Sequence, residues 1–261
     1  WATWRTVLGV CGPGRVGRPD ACDPTPVSGV ARSLAGIWGR NFPGQTAEIV
    51  YLPQDANSKQ AIAYLRDEYA RVMVELERIA GRPITDSDLR SSIAIYNENR
   101  RLLRDLYLVK RETPWLLSTT EAYVLTKAGG VMPREEHNVI LQNALAEIPT
   151  RAGRQQDRVR VVFEGGFCEQ PPLDMLQLIE EACYIVDDDL LIGMRWIVED
   201  VPETGDPLYA LAARATLVTH TTPCRPRCPA GRAPRRPRLF RIPYSALTAA
   251  GGSPLQFRCF P

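Results

Sequence analysis

The residues best suited to chemistry lie in one short loop, where a thiol, a carboxylate and an amide are adjacent. Cys168, Glu169 and Gln170 belong to the segment FCEQPPL at 167–173, which follows a β-branched run at 159–163 and two glycines. The run predicts a strand, and ligands of open α/β sheets bind at the carboxyl ends of strands. This loop is therefore a candidate active site.

Each residue of this loop also has a plainer explanation. A carboxylate such as Glu169 can deliver protons, but negative charge near the next helix would also simply stabilise that helix. Cys168 can line a substrate pocket or can only pack. From the residues alone, both explanations of the loop remain open.

Three aspartates at 187–189 follow a second predicted strand, 184–186. Carboxylates are ligands that Mg²⁺ prefers, but neighbouring strand side chains point to opposite faces and seldom converge on one ion. We therefore expect one aspartate to cap the following helix and another to meet an arginine.

Four further landmarks accompany these two segments. They are Cys22 with Asp23 and Pro24, GVARSLAGIW at 29–38, IYNENRR at 95–101 and GMRW at 193–196. In their order and spacing they resemble the benzoyl-CoA reductase and 2-hydroxyacyl-CoA dehydratase family over about residues 20–210. The FCEQPPL loop is most similar to the iron–sulfur subunits of the reductases.

This resemblance implies an enzyme that reduces the aromatic ring of an acyl-CoA thioester such as benzoyl-CoA. It implies a [4Fe-4S] cluster with Cys22 as a metal ligand, and catalytic roles for Cys168, Glu169 and Gln170. It also implies a second homologous iron–sulfur subunit, ATPase subunits that use ATP and Mg²⁺, and ferredoxin as electron donor. The family holds its cluster with three cysteines, so we expect this chain to have an incomplete ligand set and to be inactive alone.

Two other functions fit the sequence. A 2-hydroxyacyl-CoA dehydratase subunit would use the same parts to remove water. A non-catalytic helical scaffold or binding protein would need only the helices predicted between 57 and 148. No Walker A loop or G-x-G-x-x-G fingerprint occurs, so we expect ATP hydrolysis to belong to a partner.

The composition indicates the cellular compartment in which the protein is expected. Seven irregularly spaced cysteines argue against a disulfide framework, and no apolar run approaches the length of a membrane span, so we expect a cytoplasmic protein without a membrane partner. The chain begins without Met, which predicts a truncated N-terminus. The net charge of +2 divides unevenly, because residues 207–261 carry nine arginines and no acid.

The pattern predicts an α/β fold, with Rossmann-like parallel-sheet units joined by a mainly helical segment and truncated at both ends. Residues 1–53 would end a first α/β domain, 54–150 would be helical, and 151–213 would begin a second α/β domain. Within them, an apolar stripe predicts a helix at 57–80, and further helices are predicted at 85–110 and 173–182. Capping boxes are predicted at Thr85 with Asp88 and at Ser118 with Glu121.

The tail at 214–261 is predicted to be disordered or translated out of frame, since proline and arginine dominate 222–238. Its Cys224-x-x-x-Cys228 pair could suggest zinc, and its arginines nucleic acid, but neither partner is expected without an ordered scaffold.

Two weaker expectations concern basic residues. Arg32, Arg40, Arg100 and Arg101 could bind the phosphates of CoA, or could be ordinary solvated charges. His137 is predicted to lie on a solvated helix surface.

Overall fold

A computed structural model describes residues 21–22, 29–43, 46–47, 49–164, 172–188, 197, 199–220, 240–243 and 258–259. The chain divides into two compact units, one of residues 1–89 with 202–219 and one of 90–201 with 220–261. The three domain boundaries predicted from the sequence stay predictions.

In its described residues, the first unit contains a short parallel strand pair and three helices. Strand β1 (Ala21–Cys22) pairs with β2 (Thr46–Ala47), and helix α1 (Gly29–Asn41) connects them in sequence. Helices α2 (Ala61–Ala80) and α7 (Pro207–His220) complete the unit. Its core joins elements far apart in the chain, since Leu65, Val50 and Ala212 form one buried cluster.

Helix α2 ends where the sequence predicts. Gly81 adopts a left-handed conformation with φ of 67°, which glycine takes without a steric penalty. The apolar stripe predicted along α2 is only partly buried: Leu65 is fully covered, whereas Leu76 is 46% exposed.

Three helices form the first part of the second unit. They are α3 (Asp86–Glu112), whose first residues count with the first unit, α4 (Thr119–Ala128) and α5 (Arg134–Glu147), which a 3-10 turn (Ile148–Thr150) follows. The capping box predicted at Ser118 and Glu121 is confirmed by both of its hydrogen bonds. A similar exchange between Thr85 and Asp88 begins α3.

Leucines and an isoleucine fill the space between these helices. Leu106, Leu141 and Ile148 are completely buried there, together with Leu103 and Leu117. Because α3 contributes to this core over several turns, its other side chains are held at fixed positions along the unit.

A four-stranded sheet forms the rest of the second unit, in the order β4-β3-β5-β6. The strands are β3 (Val159–Glu164), β4 (Cys183–Asp188), β5 (Phe240–Pro243) and β6 (Arg258–Cys259), and helix α6 (Leu173–Ala182) connects β3 to β4. β3 is parallel to both β4 and β5, while β6 is antiparallel to β5. The predicted parallel βαβ unit is therefore confirmed.

These elements support an α/β assignment, with parallel strand pairs in a mostly helical chain. The finer description as Rossmann-like units stays a prediction. Within the tail, the structure describes the end of helix α7 at His220 and the strands β5 and β6, and the prediction that residues 214–261 are disordered or translated out of frame stays a prediction. Residues 222–238 lie outside the described ranges.

No helix within the described ranges combines the length and the apolar character needed to cross a bilayer.

Candidate functional site

The carboxyl ends of β3 and β4 lie at the same edge of the sheet. The two strands are parallel, and Phe163 near the end of β3 pairs with Asp188 at the end of β4. Cys168, Glu169 and Gln170 follow β3 a few residues later in the chain, outside the described residues. Parallel sheets bind ligands at this edge. The described residues that form it belong mainly to β4 and α3.

Asp188 forms a buried ion pair at this edge. Its Oδ2 accepts a hydrogen bond from the Lys110 ammonium at 2.6 Å, and its Oδ1 accepts one from the Tyr107 hydroxyl at 3.2 Å. The Lys110 side chain is 1% exposed and that of Asp188 is 11% exposed. Both carboxylate oxygens therefore have a donor, which fixes the rotation of the carboxylate as well as its position.

Asp187 makes a second ion pair with the same helix. The Arg111 guanidinium donates to its Oδ2 at 2.7 Å. Burial raises the pKa of Asp187, and Arg111 partly opposes this effect. Arg160 on β3 donates to the main-chain carbonyl of Arg111, so the last turns of α3 contact both strands.

A shift in register explains why two adjacent aspartates both reach α3. Val161 pairs with Ile185, but Val162 pairs with Asp187, so β4 has one extra residue. Such an irregularity changes where the following side chains point. The expectation that one aspartate meets an arginine is confirmed, while Asp189 lies outside the described residues.

Further along α3, polar side chains hold the segment at 197–201. The amide of Asn97 exchanges two hydrogen bonds of 2.8 Å with the backbone of Val201. Arg104 donates to the carbonyl of Ile197 at 2.7 Å and to Asp200 at 2.8 Å. Arg101 also donates to Asp200, at 2.7 Å.

Asp200 is held as a carboxylate by these contacts. Burial acts to raise its pKa, but Arg104 and Arg101 outweigh it and hold the pKa below its usual value. The side chains of α3 that make the contacts described so far are Asn97, Arg101, Arg104, Tyr107, Lys110 and Arg111.

His137 is buried, and the expectation of a solvated surface position is wrong. Its Nε2 donates to the carbonyl of Leu125 at 2.8 Å, so its Nδ1 must be the acceptor from the amide of Asn99 at 2.7 Å. The same amide donates to Asn138 at 2.7 Å. Burial lowers the pKa of His137, although its bond to Leu125 opposes this.

The arginines considered as CoA ligands have different surroundings. Arg101 is engaged with Asp200, and Arg100 donates to the side chain of Asn97 at 2.7 Å. Arg40 is exposed at the end of α1, and the side chain of Arg32 lies outside the described residues. For Arg100 and Arg101 a role at a phosphate would compete with contacts inside the protein.

Two cysteines can be compared as metal ligands. Cys22 is the last residue of β1, a parallel strand, where a ligand loop would begin. Cys183 is buried, donates to the carbonyl of Ile179, and has a pKa raised by burial to about 11. A thiol that resists deprotonation is a poor metal ligand, which leaves Cys22 as the better candidate.

Within the described ranges, no group of three or more His, Cys, Asp or Glu side chains is placed to hold a metal ion. The role of Cys22 as a cluster ligand stays a prediction.

The sequence reasoning missed Lys110, Asn97 and Asn99, all of which are buried. One signal was present: Lys110 follows Leu106 by four residues and Tyr107 by three, which places it among the positions of α3 that face the core.

Known proteins are similar to most of this sequence. A family model described as 2-hydroxyglutaryl-CoA dehydratase, D-component, matches residues 26–240. One of the benzoyl-CoA reductase subunits of Thauera aromatica is 39% identical over 195 residues, which are 74% of this chain and 49% of that protein.

Two dehydratase subunits are also similar. Lactoyl-CoA dehydratase subunit beta of Anaerotignum propionicum is 33% identical over 66% of this chain and 46% of that protein. (R)-2-hydroxyglutaryl-CoA dehydratase, subunit beta, of Acidaminococcus fermentans is 26% identical over 62% and 42%. The chain spans about half the length of the curated relatives it matches.

Proposed function

The chain belongs to the 2-hydroxyglutaryl-CoA dehydratase D-component family, and on that premise we propose that it is part of a catalytic subunit of a benzoyl-CoA reductase. The reaction would add two electrons and two protons to the aromatic ring of an acyl-CoA thioester, with ferredoxin as the source of the electrons. The observation that supports a reductase is the 39% identity to the Thauera aromatica reductase subunit, against 33% to the lactoyl-CoA dehydratase subunit.

Partners follow from this proposal. The acyl-CoA thioester would be bound by this subunit together with a second homologous iron–sulfur subunit. Separate ATPase subunits, with ATP and Mg²⁺, would drive electrons from ferredoxin to the complex. We propose a cytoplasmic location for this assembly.

Cys22 is the residue that we propose as a ligand of a [4Fe-4S] cluster. Its place at the end of β1 and the Asp23 and Pro24 that follow it support this role. When bound, such a cluster supplies electrons at low potential. The described residues alone do not complete a ligand set, so the proposal for this chain concerns Cys22 only.

The loop after β3 would line the substrate. Glu169 would hold or donate a proton near the ring, while Gln170 would orient the thioester carbonyl and Cys168 would face the acyl group. These roles are supported by the direction of β3, whose carboxyl end lies beside that of β4 at the ligand-binding edge.

Activity of the complete subunit tests the function. The full-length protein, assembled without oxygen with its partner subunits, would be supplied with reduced ferredoxin and ATP. We expect consumption of benzoyl-CoA and no dehydration of a 2-hydroxyacyl-CoA. The opposite preference would favour the dehydratase, which the family description and the two dehydratase relatives also support.

Iron content tests the role of Cys22. We expect about four irons per cluster in the full-length wild type and a clear loss in Cys22→Ala. Cys183→Ala is the matched control, because its thiol is buried against Ile179 and should leave iron unchanged. Iron retention by Cys22→Ala would remove it as a ligand, and an iron-free wild type would favour the non-catalytic scaffold.

Substitution of Glu169 tests its proposed role in proton transfer. We expect Glu169→Gln to lower kcat by about 100-fold or more, the usual cost of losing a general acid or base. Glu181→Gln on the exposed side of α6 is the control and should keep full kcat. Equal kcat values for the two variants would contradict the role of Glu169.

A further inference from the structure

The end of α3 contacts both strands of the parallel pair, and it contacts β4 at the proposed ligand edge. Lys110 and Arg111 bind the two aspartates that end β4, and the main-chain carbonyl of Arg111 accepts from Arg160 on β3. Two parallel strands are thus attached to one helical turn, β4 at the end where it leaves the sheet and β3 near its first residues.

The chemistry of the Lys110–Asp188 pair suggests more than stabilisation. Removing two charges from water costs free energy, and an apolar pair of similar volume is often as stable as a buried ion pair. What an ion pair adds is a defined geometry. Here both oxygens of the carboxylate are fixed, since Tyr107 and Lys110 donate to different oxygens of Asp188.

The ion pair lies where its geometry also affects the end of β3. Asp188 is in register with Phe163, one residue before β3 ends at Glu164. A displacement of β4 would therefore displace the end of β3, from which the chain continues to Glu169. Reacting groups displaced by about 1 Å can lose roughly 100-fold in rate.

We propose that Lys110 is a positioning residue: by holding Asp188 it sets the sheet edge in the orientation that the acyl-CoA reaction needs. This inference rests on the function proposed above. Lys110 need not touch the substrate, and its effect passes through Asp188 and β4.

The test compares four variants of the full-length subunit in its assembled complex. Lys110→Met removes one charge of the pair. The double variant Lys110→Met with Asp188→Leu replaces the pair by apolar side chains. Tyr107→Phe removes one donor to Asp188 with almost no change in volume, and Lys127→Met makes the same lysine substitution at an exposed position of α4.

Three measurements are made on each variant: the melting temperature, the amide hydrogen exchange of residues 183–188, and kcat with KM for benzoyl-CoA. We expect the double variant to melt close to wild type, yet to exchange faster over 183–188 and to have a kcat that is lower by about 10-fold or more. Tyr107→Phe takes the donor from Asp188 Oδ1, so we expect kcat to fall several-fold together with a modest fall in melting temperature. Lys127→Met should match wild type throughout.

A merely structural role predicts a different result. In that case the double variant would recover its melting temperature, its exchange over 183–188 and its kcat together, and this outcome would overturn the proposal. If the wild-type complex reduces no benzoyl-CoA and dehydrates no 2-hydroxyacyl-CoA, the proposed function fails instead. Hydrogen exchange then decides separately whether Lys110 holds β4.

Discussion

Two buried polar clusters contact α3, one charged and one neutral. The charged cluster, Lys110 with Asp188 and Tyr107, joins the helix to the end of a strand. The neutral cluster, Asn99 with His137 and Asn138, joins α3 to α5 and, through the carbonyl of Leu125, to α4. Both are buried hydrogen-bond networks, but they join different kinds of element.

The difference indicates which cluster is tied to function. The helices that the neutral cluster joins also share an apolar core, which would be buried in any case. The imidazole of His137 is closely packed as well, because a Cβ added at Gly129 would come within 2.6 Å of it. Ionised groups cost more to bury than amides, and the chain places them at the edge where parallel sheets bind ligands. We therefore regard the charged cluster as positional and the neutral cluster as structural.

The largest expected effect separates the two clusters directly. Lys110→Met leaves Asp188 buried with one charge uncompensated, so we expect the free energy of unfolding to fall by about 3–5 kcal/mol. Chemical denaturation of the variant measures the loss. Lys127→Met should change stability by less than about 0.5 kcal/mol, and a similarly small loss for Lys110→Met would contradict the ion pair.

A smaller loss is expected from the neutral cluster. Asn99→Leu deprives His137 Nδ1 and Asn138 Oδ1 of their shared donor, and buried groups without a partner cost about 1–3 kcal/mol each. Both acceptors are uncharged and therefore belong to the lower part of this range, so we expect a total of about 2–4 kcal/mol in the same denaturation assay. If Asn99→Leu costs more than Lys110→Met, charge is not what distinguishes the clusters.

Acid should weaken the neutral cluster. The folded pKa of His137 lies below the ordinary value of 6.5, so the unfolded chain binds this proton more readily. The contribution of His137 is complete above about pH 6.5 and declines as the pH falls toward the folded pKa, by at most about 1.4 kcal/mol per pH unit. His137→Gln should remove this part of the pH dependence; an unchanged profile would exclude His137 as its source.

The smallest expected effect lies outside both clusters. Ser118→Ala removes the side chain that accepts from the backbone of Glu121 at the start of α4. Loss of such a cap costs about 1 kcal/mol, which denaturation can resolve. Ser118→Asp, which keeps an acceptor, should retain most of the stability. A cost above that of Asn99→Leu would show that local capping, rather than the buried network, fixes α4.

Prediction from sequence succeeded where the signal was local. The boundaries of α6 and the caps of α3 and α4 follow from residues within one or two turns of each feature. The parallel pairing of β3 with β4 follows from the strand–helix–strand order of one continuous segment. The roles of Cys22, Cys168, Glu169 and Gln170 stay predictions, because Cys22 is described only by its strand and the other three lie outside the described residues.

Prediction failed where a polar residue found its partner far away in the chain. His137 was expected in solvent because a helix surface commonly carries histidine, yet its acceptor and donor come from two other helices. The register shift within the β3–β4 pair has no marker in the sequence, and it decides where Asp187 and Asp188 point.

The sequence by itself determined the family, several helix ends and the unit of β3, α6 and β4, since motifs, caps and hydrophobic spacing act over short stretches of chain. Only the tertiary structure decided that Lys110 would be buried against an aspartate 78 residues away. A lysine in a helix has the same local pattern whether it faces water or a carboxylate. The outcome depends on which strand packs against that helix, and this is fixed by the fold of the whole unit.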